Sequence, residues 1–292
     1  MRKVISAVAL LAASAPGLAS DSRFPIWGEK ATELGYTLPK PWGLSVSYMD
    51  MSNPVRVQEI GLSGSPVLEA LEISAPDAEF EGYNTTLRGD LWVLPFWNVY
   101  GIVGYTSGES VATIRQLSCN PDDLPEFGDK ILCGLIDGIG DAVVGAPFAL
   151  DLSGPTYGLG TTFAGGIGNW FGVIDTNYTL TDLRKVDGKI KTLVTAPRVG
   201  YRWELDGGRE FRLYAGGMYQ RVQQDLSGDL ADLIPELALL LGEGRFDVKQ
   251  SASSRWNTIV GAQYALNRDW ELLIESGFGA RRTTFLSLTR RM

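Results

Sequence analysis

The chain of 292 residues has no histidine and only two cysteines. Without histidine there is no Ser-His-Asp or Cys-His catalysis, no His-ligated zinc and no imidazole pH switch. Positive charge is scarce as well, with 26 Lys+Arg against 34 Asp+Glu and a formal net charge of -8. No basic stripe is evident for neutralising phosphates, so a nucleic-acid partner is not expected. Long apolar runs are missing too. The nearest in the body of the chain, Leu230 to Leu241, is broken by Asp232, Pro235 and Glu236. A membrane helix needs about 18 or more apolar residues, so none is expected there. A spanning β-barrel stays open, because only alternate strand residues face lipid. No cofactor is expected. Glycine is plentiful at 35 residues, but no Gly-X-Y period suggests collagen.

The N-terminus reads as an export signal over residues 1–19. Arg2 and Lys3 precede the apolar stretch Val4 to Ala13, and Gly17-Leu18-Ala19 offers small residues for cleavage. Residues 20–41, broken by Pro25, Pro39 and Pro41, form a short segment that hangs below the next domain or plugs it. From Trp42 onward the chain alternates apolar and polar residues. Trp170, Ile174, Tyr178 and Leu180 oppose Asp175, Asn177 and Thr179; Leu193, Val199, Tyr201 and Trp203 oppose Arg198 and Arg202. Trp256, Val260, Ala262, Tyr264 and Leu266 oppose Asn257 and Gln263, and Trp270, Leu272, Ile274 and Phe278 oppose Glu271 and Glu275. This is the period of strands with one apolar and one polar face.

Ten strands are expected over 42–51, 83–95, 99–117, 148–166, 169–181, 190–204, 210–224, 245–266, 269–279 and 282–291, with eight or twelve as neighbouring solutions. Tight links at Phe96-Trp97-Asn98, Ile167-Gly168, Leu205 to Gly208 and Asn267-Arg268 alternate with mostly longer ones at 52–82, 118–147 and 225–244. Short turns at one rim and long loops at the other are the asymmetry of a transmembrane barrel. The fold class is therefore all-β, an antiparallel up-and-down transmembrane β-barrel over 42–292 with a short loop helix. Trp42, Trp97, Trp170, Trp203, Phe211, Tyr264 and Trp270 gather at the tight-turn rim as an aromatic belt. A soluble sandwich or lipocalin-like barrel would spread its aromatics through a core instead.

The last ten residues, Thr283 to Met292, place Leu286, Leu288 and Met292 in outward alternation, with Arg290 as a departure and Met where an aromatic is usual. In its leader, strand pattern and C-terminus the chain resembles Gram-negative outer-membrane β-barrel proteins as a class. That resemblance implies residence in the outer membrane, contact with its lipid and lipopolysaccharide, and recognition of the final strand by the barrel-assembly machinery.

The polar faces of such a barrel point inward. They carry Arg88, Asp90, Asp175, Asn177, Arg198, Arg202, Arg212, Gln220, Gln263, Glu271 and Glu275. Either these pair as a structural salt-bridge network, or part of them lines a narrow pore, with Arg198, Arg202 and Arg212 as an anion-attracting ring that Glu271 partly cancels. Cys119 and Cys133 are expected to pair as a disulfide within one loop. Leu226 to Gly242 is expected as a helix capped by Ser227, lying over the mouth, and Pro66 to Ile73 is a shorter apolar piece of the same kind. The function expected is a narrow porin-like channel or passive transporter of small or apolar molecules. The alternative is a plugged barrel with a structural or surface-interaction role, and a membrane enzyme ranks last. Asp90 and Asp175 are acid-base candidates by residue type only.

Overall fold

The computed structural model describes residues 23–233 and 243–292, so the signal-peptide reading of residues 1–19 lies outside the described residues. The strands are β1 (Trp42–Ser63), β2 (Leu71–Ser74), β3 (Asp77–Leu94), β4 (Trp97–Thr113), β5 (Gln116–Cys119), β6 (Pro147–Asp151) and β7 (Gly154–Ile167). They continue with β8 (Trp170–Asp182), β9 (Asp187–Leu205), β10 (Arg209–Asp229), β11 (Arg245–Ala252), β12 (Trp256–Ala265), β13 (Trp270–Phe278) and β14 (Arg282–Arg291). Among the described residues four α-helices accompany them: α1 (Gly28–Glu33), α2 (Pro66–Glu69), α3 (Phe127–Val143) and α4 (Leu230–Leu233).

Every pairing between neighbouring strands is antiparallel, and the ring closes. It runs β1-β3-β4-β7-β8-β9-β10-β12-β13-β14 and returns to β1 through Gly43↔Arg291 to Ser52↔Arg282. Ten strands therefore make the cylinder, with turns of two to four residues at one rim. The closed ring leaves no sheet edge along that seam. The alternation has the sense expected for a membrane: Leu159, Ile174, Val199, Leu272 and Ile274 are exposed outward, while Asp90, Asn98, Tyr214 and Glu275 are buried inward.

Several expectations need correction. The link 52–82 is largely strand, because β1 continues to Ser63 and β3 begins at Asp77. Two of the ten strands are bent: β6 and β7 are separated at Leu152-Ser153, and β11 and β12 at Ser253 to Arg255. Above that second bend β11 slots between β10 and β1, where the shorter β12 to β14 no longer reach. Trp97 is the first residue of β4 and not part of the turn, which falls at Pro95-Phe96. Ser227 does not cap a helix. It lies in β10, which runs to Asp229 before α4 begins, and the rest of that expected helix, 234–242, lies outside the described residues.

At the inner rim, α1 contributes no buried residue, and the segment before it is tied to the barrel by the Ile26 N–H donating to the Val93 carbonyl at 2.9 Å. At the outer rim the long connections fold over the mouth. Ser65 caps α2 by accepting from the Leu68 N–H, β2 pairs with β5, and the Cys119–Cys133 disulfide joins β5 to α3.

Candidate functional site: a two-part barrel interior

The inner half of the lumen is an ionic lattice built from residues two apart on successive strands. Asp90 on β3 accepts from Arg291 Nη1 on β14 at 2.6 Å and from Asn98 Nδ2 at 2.8 Å. This ion pair passes over Gly43, the residue of β1 opposite both Asp90 and Arg291, where a Cβ would collide with the two side chains. Glycine at the seam is therefore what lets the barrel close around the pair. Arg291 Nε also lies 3.9 Å from Glu271, which accepts from Gln263 Nε2 at 3.0 Å and lies 3.9 Å from Arg212. Arg212 donates to Gln263 Oε1 at 3.2 Å and grips Glu210 through two N–H groups.

A second group lies in the same inner half. The Arg88 guanidinium rests 3.5 Å from the centre of the Tyr100 ring and 3.9 Å from Asp175. Asp175 accepts from Tyr100 Oη at 2.8 Å, Thr162 Oγ1 at 2.6 Å and Asn177 Nδ2 at 3.5 Å. Across the lumen, Arg198 of β9 reaches Glu275 of β13 with a forked pair of hydrogen bonds at 2.7 and 3.2 Å, and Tyr214 Oη donates to the same carboxylate at 2.9 Å. The Tyr100 and Tyr214 rings lie over Gly160 and Gly261, whose missing side chains leave them room. Such aromatic cover of strand glycines fits a strongly curved sheet.

Most of the inward residues read from the sequence thus meet one another. Two do not join the lattice. Arg202 pairs at 3.5 Å with Glu204 on its own strand at the rim, and Gln220 sits half-buried higher on β10. The expected anion-attracting ring is neutralised, because Arg198 and Arg212 both hold carboxylates. Arg291, Glu210, Asn98, Tyr100 and Tyr214 were not among the residues singled out. The inward phase of β14, through Phe285, Ser287 and Thr289, would have pointed to Arg291. Above the ions comes a belt of neutral polar groups: the Asn84 amide donates to Thr106, Thr106, Thr156 and Thr181 are linked through their hydroxyls, all at 2.7 to 2.8 Å, and Ser47 donates to Ser287 at 2.9 Å.

The outer half is different in kind. Val55, Val57, Phe80, Leu150, Leu226, Phe246 and Val248 from the strands pack with Leu68, Leu71, Leu117, Cys133 and Ile136 from the covering loops. Leu68, Leu230 and Val248 are wholly buried. Where the two halves meet, the rim link of β13 and β14 turns inward. Asn257 clasps Arg281 by donating to its carbonyl at 3.0 Å and accepting its N–H at 3.3 Å. Burial lowers the Arg281 guanidinium to about 10, and its contacts are carbonyls of Ser254 and Met218 at 3.5 Å. On its outer side α3 exposes Phe127, Ile131 and Leu135, one turn apart on a single face.

The wall itself has a weak place. Pairing of β9 with β10 skips from Arg198↔Gly216 to Tyr219↔Thr195, at Pro197, which has no N–H to give. An open groove of about 570 Å³ lies there on the outward face, lined by Phe163, Gly165, Gly172, Ile174, Pro197, Val199, Ala215 and Gly217 among others, with Arg198 also in its lining.

No family model matches this chain, and no curated protein matches it. Solved structures do. Outer membrane protein OprG from Pseudomonas aeruginosa is similar at 12% identity and a TM-score of 0.39, over 87% of this chain and 98% of that one. The β domain of the Bordetella autotransporter BrkA is similar at 12% identity and 0.41, over 87% and 100%. The Ralstonia pickettii toluene transporter TbuX is similar at 10% identity and 0.33, over 87% and 90%. The assignment rests on the chain's own topology: a closed antiparallel cylinder, apolar on its outward face and polar in the inner half of its lumen, is the architecture of Gram-negative outer-membrane barrels.

Proposed function

We propose that the protein is a passive outer-membrane conduit for small apolar molecules, closed to ions. The division of its interior carries this reading. An aqueous pore needs a continuous wet lumen, whereas here the inner half is bridged by ion pairs and the outer half is filled with aliphatic side chains. An ion would have to break the lattice or cross an apolar core, and either is costly. An apolar solute meets the exposed Phe127, Ile131 and Leu135 of α3 first and partitions into the core beneath the covering loops. Its exit into hydrocarbon is at Pro197, where the β9–β10 ladder is interrupted and a groove lies open on the outward face.

The test is uptake of a fluorescent apolar probe, 1-N-phenylnaphthylamine, by cells with intact lipopolysaccharide, with and without the protein, beside conductance of the purified barrel in a planar bilayer. Faster probe uptake with no ionic current is expected. Steady ionic current, or uptake unchanged by the protein, contradicts the proposal. A second reading, a plugged barrel with a purely structural role, is favoured by the disulfide that ties down the cover, and unchanged uptake with no current would select it.

A further inference from the structure

Two aromatic girdles fix where hydrocarbon meets the barrel. Trp170 and Tyr178 on β8, Phe211 and Tyr219 on β10, and Tyr264 and Trp256 on β12 each lie eight residues apart on the outward face. Eight strand residues span about 26 Å along the strand and, at the tilt of about 40° usual in such barrels, about 20 Å along the membrane normal, on the scale of their apolar band. Just outside the outer girdle, Lys191, Arg221, Arg255 and Arg282 are exposed on β9, β10, the β11–β12 link and β14. Arg221 follows Tyr219 by two residues and pairs with Leu193, Lys191 lies two beyond Leu193, and Arg255 precedes Trp256.

Among the described residues none of these four has a carboxylate within 4.0 Å. The next outward row differs. By register it runs Asp182, Lys189, Asp225, Lys249, Glu59, alternating in sign across five strands. It is paired internally, Lys189 to Asp182 at 3.3 Å and Lys249 to Glu59 at 2.8 Å. The far side of the same rim is acidic, with Glu79, Glu81 and Glu109 facing out. In a chain of net charge -8, four exposed cations without a carboxylate partner thus lie at one height on neighbouring strands. The strip they form is bounded below by exposed Trp256 and Phe278 and above by that alternating row, whose two lysines are each paired and whose net charge is -1.

We propose that this strip binds the phosphates of a phosphorylated glycolipid of the outer leaflet, of the lipid A type. Its acyl chains lie along Leu193, Tyr219, Trp256 and Phe278. A free phosphate would gain little from solvated cations, whereas a lipid adds the apolar contact directly beneath them. The site depends on the long-loop rim facing the outer leaflet. It does not depend on transport, so a barrel that carries no solute still passes or fails this test on its own.

The folded protein in detergent is titrated with diphosphorylated lipid A and with its dephosphorylated form, and binding is read by native mass spectrometry. The phosphorylated lipid is expected to bind at least tenfold more tightly. Replacing Arg221→Gln and Arg255→Gln together weakens it by roughly 25-fold, about fivefold for each charge removed. Glu79→Gln on the acidic side leaves it unchanged. Equal affinity for the two lipids, or no loss in the double variant, overturns the proposal. So does full competition by millimolar inorganic phosphate, which would make the strip a simple anion site. Should the double variant lose its folded, boiling-sensitive gel mobility, the single variants Arg221→Gln and Lys191→Gln carry the same test at about fivefold each.

Discussion

Arg198 and Glu275 hold β9 to β13 across the lumen, Glu275 buried and Arg198 half-buried, each with the other as its main partner. Removing one leaves an uncompensated charge, which costs about 3–5 kcal/mol, whereas replacing both with apolar residues costs far less. Glu275→Gln is therefore expected to lower the unfolding midpoint in urea sharply, and Arg198→Met with Glu275→Leu to recover most of the loss. A double variant as unstable as the single one would show that the pair itself, and not the burial of an orphan charge, sets stability there. At this scale the sequence was legible in one respect. Alternation told which residues face inward, because a strand has a strict period of two. It did not tell which partners meet, since Arg198 and Glu275 are 77 positions apart. The basic strip was hidden for the same reason. Its members are scattered from Lys191 to Arg282 in an acidic chain, and only the register across strands gathers them.

Among the elements, the outer cover is where the sequence reading fell short. β1 was expected to end near residue 51, with a long link after it, yet it runs on to Ser63. The register shifts between Val57 and Glu59, so Val55 and Val57 point inward on one side of the bulge and Ile60 and Leu62 on the other. One extra residue inverts the phase, and a period-two reading loses the strand at that point. The disulfide joins β5 to α3 in this cover, away from the strands that close the ring. In the chain-entropy model a loop of this size is worth roughly 3 kcal/mol. Cys119→Ser with Cys133→Ser is expected to speed hydrogen exchange of the α3 amides while the barrel amides and the heat-modifiable gel mobility stay as they were. Faster exchange throughout β3 and β4 would mean that the cover supports the barrel and does not merely rest on it.

For the whole molecule, the strand number, the short-turn rim and the inner aromatic girdle were readable in advance, because each follows from a local pattern. The second girdle, through Tyr48, Tyr83, Tyr105, Tyr157 and Tyr178, was not, since tyrosines in mid-segment look like ordinary strand residues until the cylinder aligns them. Nor was the split of the lumen into an ionic half and an apolar half. That depends on which strands run past the girdle, and β10, β11 and β1 do so while β12 to β14 stop near it. Everything proposed for solute and lipid depends on the sense of this cylinder. Spin labels placed singly at residues 171 to 178 of β8 in the reconstituted protein measure that sense directly, through relaxation by lipid-soluble oxygen. High oxygen contact is expected at 172, 174, 176 and 178, with low values between them at 171, 173, 175 and 177. The opposite phase, or no alternation, would contradict a barrel that turns its apolar face to the membrane.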